Sequence, residues 1–150
     1  MWRPAAAAGP SVWIGQEARV ARVVPQRLRV LVVDWDTRSA DVLERLLHAI
    51  GYLETRVAYT GRAAIVFANE FRPEVVLADI DMPDIDQSAL SRTLRERAQF
   101  RHMCFVAVSA REALPDVQIS RNNTSTQHLR KPITARDLSA CLLSAASAFP

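Results

Sequence analysis

Four residues, Asp34, Asp79, Ser109 and Lys131, each close a short strand-like run: the apolar "VLVVD", "VVLAD" and "VAVS", and the more polar "HLRK". Two carboxylates, a hydroxyl and an ammonium suit one task, the handling of a phosphoryl group with a divalent cation. A hard cation such as Mg²⁺ takes oxygen ligands. A carboxylate can attack phosphorus and form an acyl phosphate. A lysine and a hydroxyl can then hold the transferred oxygens by charge and hydrogen bonds. Of the 19 Lys and Arg residues, Lys131 is the single lysine. It stands where a compact point charge serves better than a planar fork. Each residue also has a plainer reading. Asp79 could cap a helix, Asp34 could be an ordinary strand-end acid, and Ser109 could be a turn serine.

The elements that must position these residues alternate along the chain. "LRVLVVD", from residue 28, reads as a buried strand. Leu43, Leu46, Leu47 and Ile50 then form one apolar helical stripe, stopped by Gly51. "TRVAY" is a weaker second strand, and Ala64, Phe67, Ala68 and Phe71 repeat the helical spacing up to "RP" at 72–73. "EVVLAD" is a third strand, followed by a polar helix marked by Leu90 and Leu94. "MCFVAVS" is a fourth strand, and residues 111–126 specify no clear element. "QHLRKP" is a short fifth strand. Thr134 and Asp137 open a last helix carrying Leu138, Cys141, Leu142 and Ala145. Such alternation predicts an α/β fold, a doubly wound parallel sheet covered on both faces by helices. Sites in such sheets lie at the carboxyl ends of the strands, where all four residues fall.

In this order and spacing, "VLVVD", "VVLADIDMP", "VAVSA" and "HLRKPI" resemble the receiver domain of two-component response regulators, over about residues 28–148. The resemblance implies a five-stranded, flavodoxin-like sheet of order 2-1-3-4-5. It implies that Asp79 is the phosphoacceptor, served by a histidine kinase or phosphotransfer protein, and that Asp34 lies near a Mg²⁺ ion. Asp81 would ligate that metal through its backbone carbonyl. Ser109 would be the switch hydroxyl, His128 the partner switch position, and Lys131 the lysine that pairs with the phosphoryl group. Pro132 would follow a cis peptide bond.

The chain departs from that pattern in three places. The family has two adjacent acids after its first strand, and here the second slot holds Trp35. An indole offers no oxygen ligand. Asp36 comes one residue late and reads as the N-cap of the first helix. Gln87 stands where the family commonly has glycine, and "NNTST" replaces the small-residue pattern before the fifth strand. Asp84 and Asp86 read as solvated loop acids.

Length and composition set the frame. The 150 residues are 49% hydrophobic and 23% charged, ordinary for one globular domain with some tail. The division is a flexible basic extension over 1–27 and a receiver-like domain over 28–149. Apolar residues of the extension, such as Val12, Trp13 and Ile14, can still dock somewhere. The formal charge of +3 is concentrated in the first 29 residues, which carry five arginines and one acid. The rest is close to neutral, which argues against a nucleic-acid partner. No apolar run spans a bilayer, so a cytoplasmic protein without a membrane partner is expected. Cys104 and Cys141 have no metal-ligand spacing and read as buried thiols. Two readings follow: a stand-alone receiver phosphorylated on Asp79 that signals through an unknown downstream protein, or a degenerate receiver acting as a phosphate-independent interaction module. A related phosphatase or flavin protein lacks support, because no Gly-rich phosphate loop is present.

Overall fold

The computed structural model describes residues 26–97, 102–110 and 127–146. Its strands are β1 (Val30–Val33), β2 (Thr55–Ala58), β3 (Val75–Asp79), β4 (Cys104–Ser109) and β5 (Gln127–Arg130). They form one parallel sheet in the order β2-β1-β3-β4-β5. The helices are α1 (Thr37–Ala49), α2 (Gly61–Phe71), α3 (Gln87–Arg95) and α4 (Ala135–Ala146). The expected fold class and strand order are both present. Most of the extension and the segment 111–126 lie outside the described residues. Gln26, placed by the sequence in the extension, bridges to Tyr52 in parallel, with its N–H 2.7 Å from the Gly51 carbonyl.

The central strands are buried at every position, and apolar up to the Asp79 and Ser109 that close β3 and β4, because helices cover both faces. Side-chain alternation then sorts their residues into two cores. Val30, Val32, Val75, Leu77, Val106 and Val108 pack with Leu43 and Leu47 of α1 and Leu138 and Leu142 of α4. Leu31, Val33, Val76, Ala78 and Phe105 pack on the other face with Ala64 and Ala68 of α2 and Leu90 and Leu94 of α3. The small Ala64 and Ala68 leave room for α2 to lie close to the sheet. Cys104 and Cys141 are both buried, and burial pushes the Cys141 thiol up to about 12.

Register decides where the chemistry sits. Val33 is level with Ala58 and Ala78, Asp79 with Val108, and Ser109 with Arg130. The next backbone bonds extend these ladders: Asp34 N–H to the Ala58 carbonyl at 3.0 Å, and Lys131 N–H to the Ser109 carbonyl at 2.8 Å. Asp34, Asp79, Ser109 and Lys131 therefore share one edge.

Candidate functional site

Asp34 ends β1 and turns the chain by accepting the Asp36 N–H on Oδ1 at 2.9 Å. Its free Oδ2 takes the Lys131 ammonium at 2.9 Å. Asp79 repeats the same turn, with Oδ1 accepting the Asp81 N–H at 3.0 Å. Its Oδ2 lies 3.8 Å from Lys131 Nζ. One ammonium thus serves two carboxylates that are 2% and 5% exposed. Ser109, also buried, closes β4 on the neighbouring strand. Asp81 is exposed on the turn after Asp79, and His128 is half-buried in β5, level with Ala107.

Burial of Asp79 pushes its carboxyl above the usual carboxylate range, and the neighbouring Asp34 carboxylate adds to the push. The Asp81 N–H and the Lys131 charge pull the other way without cancelling it. The peptide bond between Lys131 and Pro132 is cis. Beside Lys131 a cavity of about 540 Å³ opens between α1 and the turn after β5. Val42, Leu43, Leu46, Pro132 and Ile133 make its walls apolar.

The family model of the response regulator receiver domain matches residues 30–143. The chain belongs to this family. It is 28% identical over 105 residues to the polar-differentiation response regulator DivK of Brucella anthropi, covering 70% of this chain and 85% of the relative. It is also 28% identical over 129 residues to the transcriptional regulatory protein TrcR of Mycobacterium tuberculosis, covering 86% of this chain. It spans about half of that protein's length, 49%. A chemotaxis response regulator of Vibrio cholerae shares the fold with a TM-score of 0.71 at 21% identity, covering 80% of this chain and 99% of the other.

As a receiver domain the protein is part of two-component signalling, and such domains are signalling modules rather than turnover enzymes. Among the described residues no helix is long and apolar enough to cross a membrane. Trp35 occupies the second acidic position and is 53% exposed. Asp36 does not replace the missing acid: its Oδ1 accepts the Arg38 and Ser39 N–H groups at 3.1 and 3.4 Å, capping α1. Asp34, Asp79 and the Asp81 carbonyl are oxygen donors of the kind Mg²⁺ takes, so the donor set fits the ion. The second acidic position adds no carboxylate to it, because Trp35 offers no oxygen ligand.

Two acids read as merely solvated have structural partners. Asp86 caps α3, accepting the Ala89 N–H at 2.8 Å. Asp84 accepts the Gly61 and Arg62 N–H groups of α2 at 3.0 and 3.1 Å. The Asp86 cap has a local signal, an acid three residues before Ala89 at the start of an apolar pattern. Asp84 has none, because its partners lie more than twenty residues back in the chain.

Proposed function

We propose that this receiver accepts a phosphoryl group on Asp79 from the phosphohistidine of a histidine kinase or phosphotransfer protein, and passes the signal on through protein–protein contacts. The observation that carries the reading is the shared ammonium, with Lys131 Nζ between Asp34 Oδ2 and Asp79 Oδ2. The attacking atom is Asp79 Oδ2, because Oδ1 is held by the Asp81 N–H. Oδ2 forms the new bond to phosphorus as the bond to the donor histidine breaks and the imidazole leaves with the electron pair. The ionised carboxylate is the nucleophile. Lys131 stabilises that form and then lies within reach of the phosphoryl oxygens, and the Ser109 hydroxyl offers a hydrogen bond from the adjacent strand. The donor would approach over the apolar cavity beside Lys131.

Mg²⁺ would be held weakly by Asp34, Asp79 and the Asp81 carbonyl, and would supply positive charge against the phosphoryl oxygens. Ser109 and His128 would carry the switch. The protein would act in the cytoplasm, without nucleic acid or membrane as partner. A mass spectrum after incubation with acetyl phosphate and Mg²⁺ tests the proposal. One added phosphoryl group is expected on the wild type and none on Asp79→Asn.

Trp35 favours a second reading, a degenerate receiver that binds its partner without phosphate. No adduct under any donor or metal condition selects that reading.

A further inference from the structure

The loop after Asp79 is tied to α2 by a contact that has no part in the phosphoryl chemistry described above. The side chain of Thr60, the local cap of α2, accepts the Ala63 N–H at 3.0 Å. The two preceding amide donors, on Gly61 and Arg62, are taken by the two oxygens of Asp84, one each. A helix start leaves several N–H groups without helical partners, and an anion there is favoured. The Gly61 N–H bond is the main cause holding the Asp84 carboxyl below its usual range.

Shape supports the same contact. A Cβ built on Gly61 would lie 1.9 Å from Ile85 Cγ2 and 3.1 Å from Ile85 Cβ. Gly61 does not adopt a positive φ. Glycine is required here by space: Ile85 sits where any side chain on residue 61 would go. Ile85 in turn packs on the α2 and α3 core.

The loop is therefore pinned at three points. Asp79 holds the Asp81 N–H, Asp84 and Ile85 grip the first turn of α2, and Asp86 caps α3. Asp81 is itself held at the first pin, and Met82, which is buried, lies between it and the second.

We propose that Asp84, with the Gly61–Ile85 contact, is a positioning device that fixes the backbone at Asp81 and so the aim of the Asp79 carboxylate. This role rests on Asp79 being the phosphoacceptor. Asp84 touches no reacting atom; it acts through the loop.

The test uses the full chain with Asp84→Ala, Gly61→Ala and the pair Gly61→Ala/Ile85→Ala. Phosphoryl transfer from acetyl phosphate is read as a rate constant and as a half-saturating donor concentration. Amide hydrogen exchange is followed at Asp81 and Met82. Each single substitution is expected to slow the rate constant by about tenfold to a hundredfold, the cost of a misplaced reacting group. Half-saturation should stay unchanged, and exchange at both amides should rise. Ile85→Ala removes the conflicting Cγ2, so the Asp84 bonds can form again and part of the rate lost in Gly61→Ala should return. A double variant no faster than Gly61→Ala overturns the proposal, as does an unchanged rate in Asp84→Ala. If the wild type takes no phosphoryl group, the phosphoacceptor reading fails by itself. Exchange then judges the clamp, and unchanged exchange at Asp81 in Asp84→Ala overturns it.

Discussion

The loops after β1 and after β3 begin alike and end alike. Each opens with a buried aspartate whose Oδ1 accepts the N–H two residues on. Each closes with an aspartate that caps the next helix, Asp36 for α1 and Asp86 for α3. Such side-chain turns let a short polar residue redirect the backbone at a strand end. Between the two ends the loops differ. The first has only Trp35, which points largely into solvent. The second has six residues, enough to present Asp81 beside the site and to reach α2 through Asp84. One local device thus gives a tight corner in the first case and a longer loop, tied to α2 along its way, in the second. The short loop has one position at which a second acid could stand beside Asp34, and tryptophan fills it.

The largest effect should come from making the two turn aspartates neutral. Asp79→Asn is expected to abolish phosphoryl acceptance altogether. Asp34→Asn should leave it measurable but slowed by about tenfold or more, since Asp34 positions charge and does not form the new bond. Intact-mass spectra of both variants decide this, and equal labelling of the two would end the distinction between the loops.

Asp79 also makes stability depend on pH. Burial raises the Asp79 carboxyl above its unfolded value, so the native state binds that proton more tightly. Below the unfolded value, about 3.9, both states are protonated and there is no penalty. As pH rises through the window up to the raised native value, the unfolded chain ionises first and stability falls. Above that window the penalty is complete. Asp79→Asn should therefore raise the midpoint of urea unfolding at pH 7 and flatten its decline with pH between the two values. A midpoint that falls at pH 7 would show that the bond from Asp81 and the pairing with Lys131 outweigh burial.

Much of this layout is legible in the chain itself. Three fully buried apolar runs can only be central strands, so Asp34, Asp79 and Ser109 are placed by counting. The Asp36 cap is also legible, because an acid followed by "TRS" precedes the apolar stripe of α1. Side-chain choices across the sheet are not. Family resemblance pairs Lys131 with the phosphoryl group on Asp79, yet the ammonium lies nearer Asp34, 2.9 against 3.8 Å. That preference depends on which oxygen each turn leaves free. The Asp84 contact and the glycine at 61 were hidden for the same reason, since both are settled by a neighbour remote in sequence.

A smaller effect should follow from refilling the first loop. Trp35→Asp restores a carboxylate next to Asp34 and should tighten Mg²⁺ binding by roughly an order of magnitude, since ligand charge tunes hard-cation affinity. Calorimetric titration of both forms reads it directly, and phosphoryl transfer should quicken in parallel. Unchanged affinity would mean that the missing acid does not limit the site.

The smallest expected effect separates capping from ligation. Asp36 accepts two N–H groups of α1, so Asp36→Ala should cost about 0.5–2 kcal/mol of stability, the usual loss for a capping acid. Asp86→Ala should cost a similar amount at α3, where the cap makes one bond at 2.8 Å. Neither should alter Mg²⁺ affinity, because both carboxylates are already bound to helix amides. Urea unfolding and metal titration of the two variants give the comparison. A loss of metal binding in Asp36→Ala alone would mean that Asp36 leaves its cap to serve the cation. The first loop would then have to open, since a carboxylate one residue late reaches the metal only if the turn at Trp35 gives way.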